Sequence, residues 1–61
     1  MAPNTHINGG TLKGEITGDI GAPALLENLA IKAGAKLSGV IIGENVQLAE
    51  DVEFGKGVEM E

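Results

Sequence analysis

The chain offers few residues for catalysis, because it has one histidine and no cysteine. A lone imidazole needs a nucleophile or a second base beside it before it can support acid-base chemistry. His6 lies outside the regular repeats described below, so the sequence predicts an exposed or locally hydrogen-bonded side chain. Ser38 has no histidine near it along the chain and stands where a small residue suits packing. We therefore expect no catalytic residue and no enzymatic activity.

Carboxylates near the C-terminus are the remaining candidates, because their oxygens suit a hard cation such as Ca²⁺. The candidates are Glu50, Asp51, Glu53 and Glu59. They lack the Gly-Gly-x-Gly-x-Asp repeat of calcium-binding β-rolls, and the absence of Cys removes thiolate sites and disulfides. Neither Gly9-Gly10 nor Gly18-Asp19-Ile20-Gly21 is followed by the Lys-Ser/Thr pair of a phosphate-binding loop. We therefore expect no metal ion and no cofactor.

The acidic charge is concentrated at one end of the chain. The net charge is −5, and residues 44–61 account for all of it, with six acidic residues against Lys56. One Phe and no Trp or Tyr leave no stacking platforms, and with no basic patch we expect no nucleic-acid partner. No apolar run reaches the ~18 residues of a membrane span, and residues 1–10 lack a signal-peptide layout. The sequence assigns no compartment.

A six-residue repeat organises the second half of the chain. Three consecutive units begin at Ile42, Leu48 and Phe54, and Met60 opens another. The same spacing extends backward through units that begin at Leu25, Ile31 and Leu37, if one residue is deleted from the last of these. Residues 25–60 are therefore predicted to be regular units, residues 6–24 an irregular coil or cap, and residues 1–5 a disordered N-terminus. We expect residues 6–61 to be one domain, a fragment of a larger protein.

Each position of the repeat has its own residue type. First positions are large and apolar, and fifth positions are smaller and mostly β-branched, as a strand interior favours. Fourth positions tolerate a left-handed backbone, and they are Asn28, Gly34, Gly39, Asn45, Asp51 and Gly57. A short strand and a corner in every unit predict a coiled chain with parallel pairing between coils. The side chains predicted to point inward are Ile42, Val46, Leu48, Val52, Phe54 and Val58.

The run from Val40 to Val58 resembles the hexapeptide-repeat family of left-handed parallel β-helices. In that family a large aliphatic residue opens each unit, a small residue follows, and a small or β-branched residue comes fifth. The resemblance implies an all-β fold, a short parallel β-helix (solenoid) of about three coils forming a left-handed three-sided prism. Acyltransferases of that family use a His between neighbouring prisms, and carbonic anhydrases of this fold use several His, so neither site carries over to this chain.

Residues 23–34 also fit a short helix, because Pro23 opens the segment, Gly34 closes it, and leucines recur at helical spacing. The six-residue spacing passes through the segment, which favours strand and corner instead. Upstream of this segment, the run from Leu12 to Ile20 alternates apolar with polar or Gly residues, which predicts strand. The stretch Gly21–Ala24 is predicted to be a corner or an excursion from the coil.

These features indicate a non-catalytic structural or interaction module that serves as a spacer or as a stacking or oligomerisation segment. The expected partners are flanking domains of the parent chain and, by end-to-end self-association, further copies. A second interpretation is the regulatory or oligomerisation tail of an enzyme similar to nucleotide-sugar pyrophosphorylases or acyltransferases. A third is a polymer-forming domain similar to bactofilins, which the stretch Gly14–Ile20 resembles.

Overall fold

The computed structural model describes all 61 residues, and it contains ten short β-strands and no helix. The strands are β1 (His6–Asn8), β2 (Thr11–Leu12), β3 (Glu15–Thr17), β4 (Ala24–Glu27), β5 (Leu29–Ile31), β6 (Lys36–Ser38), β7 (Val40–Ile42), β8 (Val46–Leu48), β9 (Glu53–Phe54) and β10 (Glu59–Met60). The helix considered for residues 23–34 is therefore absent, and β4 and β5 occupy that segment. Asn28 lies between these strands with φ 52°, a left-handed conformation that a right-handed helix does not accommodate.

The strands form three parallel sheets, which we name sheet A (β1-β4-β7-β10), sheet B (β2-β5-β8) and sheet C (β3-β6-β9). Each strand pairs with the strands three before and three after it, so the chain visits the three sheets in turn. The molecule is thus a parallel β-solenoid of about three coils, and the predicted fold class is confirmed.

The coils differ in length, as the pairing in sheet A shows. Ile7 pairs with Leu26, Leu26 pairs with Ile42, and Ile42 pairs with Met60. The separation along the chain is largest for the first of these pairs and smallest for the second. Only the third separation equals three full six-residue units. Three full units per coil therefore describe only the last coil. The middle coil is shorter, and the first coil is longer because of the segment between β3 and β4.

The corners lie where the repeat predicted them. Among fourth-position residues, φ is 56° at Asn45, 60° at Asp51 and 73° at Gly57. All six fourth positions have positive φ, the other three being Asn28, Gly34 and Gly39. Asn, Asp and Gly reach this region at the lowest steric cost, which explains why the sequence uses only these three residue types there.

The core is a set of apolar columns that run along the solenoid axis. Its nine buried residues are Ile16, Ala24, Leu26, Leu29, Ile31, Ala35, Leu37, Val40 and Ile42. One column holds Ile7, Leu26, Ile42 and Met60, with one residue from each strand of sheet A. The middle coil is the most buried because it has a coil on both sides.

One assignment within the repeat was wrong. Leu25 was predicted to open a unit, but Leu26 is the fully buried residue of β4, and it pairs with Ile42. Leu25 lies on the outer side of sheet A beside Ile41. The unit that begins at Leu26 is one residue short of the repeat, because its corner of Glu27 and Asn28 is one residue shorter than the corner from Gly43 to Asn45.

The first coil pairs in register with the middle coil through β3, although its units are shorter than six residues, and then leaves the solenoid. Residues 18–23 form an excursion, closed by an antiparallel bridge between Asp19 and Ala22. Gly18 lies against Gly39 at its base, where a Cβ built on Gly18 would come 2.1 Å from the Gly39 carbonyl oxygen. Ile20, at the tip, is 60% exposed. The predicted excursion is therefore present, although Ala24 already belongs to β4.

Candidate interaction surface at the ends of the solenoid

The C-terminal end of the prism exposes the apolar columns. Leu48 pairs with the buried Ile31, and Phe54 pairs with the buried Leu37, so both continue columns of the core. Their exposed fractions are nonetheless 37% and 49%, and that of Met60 is 61%. The prediction that six side chains of the last units point inward holds for Ile42, which is buried, and for Val46, Val52 and Val58, which pack partly buried against the core. Leu48 and Phe54 stand in the same columns as buried residues, but they stay exposed because no coil lies over them.

Backbone groups at this end are also without partners. Each corner residue of the middle coil donates its N–H to a carbonyl of the last coil, as from Asn28 to Glu44 at 2.9 Å and from Gly34 to Glu50 at 3.2 Å. The N–H groups of Asn45, Asp51 and Gly57, which occupy the same place one coil later, donate to no backbone carbonyl. We call this surface, made by β8 to β10 and these three corners, the tail surface. An open edge of this kind favours addition of another β-layer.

The opposite end, formed by β1 to β3, is the head surface. Ile7 and Leu12 are partly buried there and pack against the core, and Ile16 is 5% exposed. The apolar side chains of the head surface are therefore better covered than those of the tail surface. It still presents strand edges on its outer side, because no sheet has a strand beyond β1, β2 or β3. The edge of β3 is occupied at one point, where the Met1 amino group donates to the Thr17 carbonyl oxygen at 2.7 Å.

An asparagine ladder runs along the corner between sheets A and B. The Asn28 side-chain amide donates to Asn8 Oδ1 at 3.0 Å, and the Asn45 amide donates to Asn28 Oδ1 at 3.3 Å. Asn28 thus accepts from the next coil and donates to the previous one. The ladder therefore has a direction, and it ends at the tail surface with the Oδ1 atom of Asn45.

The acidic side chains are spread out. Glu53 Oε2 lies 3.8 Å from Lys36 Nζ on the outer face of sheet C. Glu15 is the residue opposite Lys36 on the neighbouring strand β3. A shallow, open depression covers this face. No three His, Asp or Glu side chains meet at a spacing that could hold a metal ion, so the candidates Glu50, Asp51, Glu53 and Glu59 are not brought together.

The two residues considered for catalysis lie on different sheets, His6 on β1 of sheet A and Ser38 on β6 of sheet C. His6 Nε2 lies 2.6 Å from Glu27 Oε1, an exposed contact between adjacent strands of sheet A. Ser38 lies on β6 beside Thr17, and a Cβ on Gly55 would come 3.5 Å from the Ser38 Cβ atom. Ser38 thus stands in a crowded column of small residues, as its place in the repeat predicted.

Two features of the ends escaped sequence reasoning. The asparagine ladder needs Asn8, which lies outside the regular units, so its signal is only the recurrence of Asn at similar corners. Asn4 is the second, because it has φ 58°, close to the values at Asn28 and Asn45. The two residues before β1, Asn4 and Thr5, therefore form a corner although no strand precedes them.

Comparisons with family models, with curated proteins and with solved structures found no match to this chain. The chain contains no helix that is long and apolar enough to span a membrane.

Proposed function

We propose that this chain is a non-catalytic structural module of the hexapeptide-repeat type, which acts by adding a further β-layer to its tail surface. The observation that carries the proposal is the exposure of Leu48, Phe54 and Met60 at the ends of otherwise buried columns. The left-handed backbone at every fourth position supports the hexapeptide-repeat assignment.

Physical considerations favour a layer over a small ligand. The exposed apolar atoms lie beside free N–H groups at three corners, and another β-coil supplies apolar columns and carbonyl oxygens together. The chain also lacks the convergent nucleophile, base and orienting group that an active site requires. A module of this kind serves as a spacer or as a stacking and oligomerisation segment.

Association of the purified chain tests the proposal. We expect sedimentation equilibrium to show reversible association that rises with concentration. Phe54→Lys places a charge in the exposed column and should raise the dissociation constant by roughly tenfold or more, from the apolar area it removes from the contact. The matched control is Leu25→Lys, which places the same charge on the outer side of β4, a strand that lies between β1 and β7 and belongs to neither end.

Equal effects of the two substitutions, or a chain that stays monomeric at millimolar concentration, would contradict the proposal. Thermal unfolding of both variants shows whether each remains folded, since Phe54 is already half-exposed and its replacement leaves the middle coil intact.

A further inference from the structure

We infer that the tail surface binds the head surface of a second copy, rotated by one sheet so that β1, β2 and β3 of the second copy lie on β8, β9 and β10 of the first. This inference rests on the proposed function and adds the partner and the register. It makes the assembly a continuous solenoid that grows head to tail.

The uneven height of the tail surface sets the rotation. Sheet A has four strands, whereas sheets B and C have three, so β10 stands one layer above β8 and β9. A second copy placed with sheet A on sheet A would set β1 on β10 and leave an empty layer over β8 and β9. Moving β1 to sheet B fills that layer, because β1 and β2 then cover β8 and β9, and β3 covers β10 in the next layer.

The apolar columns agree with this register. Ile7, Leu12 and Ile16 are the innermost residues of β1, β2 and β3, and they occupy the same place in their strands as Leu48, Phe54 and Met60. Rotation by one sheet therefore sets Ile7 on Leu48, Leu12 on Phe54 and Ile16 on Met60. Each exposed apolar side chain of the tail surface gains one apolar neighbour, which removes it from water.

Asn4 provides an independent match. Rotation places the corner before β1 over the corner before β8, so Asn4 of the second copy lies on Asn45 of the first. Their φ angles are 58° and 56°, which gives the two backbones the same conformation. Asn45 Oδ1 receives no bond within its own chain, and the ladder direction requires a donor from the next layer. The Asn4 side-chain amide is that donor.

Charge selects head to tail over tail to tail. Residues 44–61 carry a formal charge of −5, and residues 1–43 are neutral, with three lysines against three acidic residues. Two tail surfaces in contact would therefore repel each other. The rotated contact retains one unfavourable neighbour, since Glu15 of the second copy lies beside Glu59 of the first.

Mixing two blocked variants tests the direction. Phe54→Lys blocks the tail surface and Leu12→Lys blocks the head surface, so each variant alone should be monomeric in sedimentation analysis. An equimolar mixture should form dimers and nothing larger, because it contains one free head and one free tail per pair. Dimers of Leu12→Lys alone would indicate tail-to-tail contact and overturn the inference, and dimers of Phe54→Lys alone would indicate head-to-head contact and do the same.

Cross-linking tests the register, and it does not depend on the folding of the Leu12 variant. The native chain has no cysteine. Strands in a sheet lie about 4.8 Å apart, within reach of a disulfide, and the rotated register places His6 of one copy beside Gln47 of the other. Chains carrying His6→Cys and Gln47→Cys, mixed and oxidised with glutathione disulfide, should therefore form heterodimers in mass spectrometry. Heterodimers between His6→Cys and Glu59→Cys instead would support the unrotated register and overturn the inference while leaving the proposed function standing.

A gain of affinity completes the test. Glu59→Lys should face Glu15 of the second copy and lower the dissociation constant by about fivefold, since it turns a like-charge pair into an opposite pair on adjacent strands. Glu44→Lys changes the net charge equally at a corner with no facing carboxylate and serves as the control. An equal gain in both variants would show that overall charge, and not this register, controls association. No association of any variant would defeat the proposed function together with the inference.

Discussion

At the scale of single residues, backbone conformation at the corners matters more than side-chain chemistry. Gly57 and Lys56 are neighbours, but only Gly57 has positive φ, at 73°. A Cβ added at Gly57 would also come 3.0 Å from Ile20 Cγ1, so the excursion limits the space there. Lys56 is exposed, and its side chain is free of such constraints.

We therefore predict that Gly57→Val lowers the free energy of unfolding by ~1 to 2 kcal/mol, from the left-handed backbone alone, and that Lys56→Val changes it little. Urea melts of the two variants give the comparison. A larger loss for Lys56→Val would mean that the corner has been placed at the wrong residue. Asn45→Gly should be tolerated, because Gly adopts the same φ without strain.

The asparagine ladder gives a second prediction at this scale. Asn28 makes two ladder hydrogen bonds, whereas Asn45 makes one within the chain. Replacing each by Gly keeps the corner conformation and removes only the side chain, so Asn28→Gly should destabilise the chain more than Asn45→Gly, by about 0.5–1 kcal/mol for the additional bond. Thermal melts below the association concentration measure both. Equal losses of unfolding free energy in the two variants would mean that the additional hydrogen bond of Asn28 adds nothing to stability.

At the scale of the strand, the position of each leucine in β4 distinguishes the observed register from the one that the repeat predicted. Leu26 is fully buried, and Leu25 lies on the outer side. We expect Leu26→Ala to cost about 2–5 kcal/mol, as for other buried leucines, and Leu25→Ala much less. Because a domain of this size is only marginally stable, Leu26→Ala should be largely unfolded at 37 °C by circular dichroism. The reverse order of stabilities would restore Leu25 to the core.

The same segment shows what the sequence could predict. Corners were predictable at all six fourth positions, because only Asn, Asp and Gly suit a left-handed backbone. The burial of Leu26 in place of Leu25 was not predictable, because two adjacent leucines fit the repeat equally well. The residue types at the shortened corner do not show that it is one residue short. The repeat pattern also could not predict that Leu48 and Phe54 are exposed. Both are large apolar residues at positions that are buried in the other coils, and their exposure depends on whether another layer covers them.

At the scale of the whole molecule, stability should follow the position of each coil along the axis. The middle coil has a neighbour on both sides and holds most of the buried residues, while the terminal coils have one neighbour each. In a solenoid, stability is roughly a sum over neighbouring units. Amide exchange should therefore be slowest for inter-coil bonds of β4 to β7 and fastest at β9 and β10.

Hydrogen–deuterium exchange at low concentration, read by NMR, measures this gradient. Raising the concentration should slow exchange at Asn45, Asp51 and Gly57, whose N–H groups lack acceptors in the single chain. Uniform protection along the axis would indicate one cooperative unit and contradict the gradient.

The excursion at residues 18–23 shows that a corner of this solenoid can lengthen without disturbing the coil. β3 and β4 flank it, yet both pair in register with β6 and β7. The extra residues at this corner leave the apolar columns uninterrupted, although Ile20 at the tip reaches the Gly57 corner of the last coil. Under the proposed stacking, a sequence inserted at this corner would be displayed once per copy, at a fixed interval along the assembly.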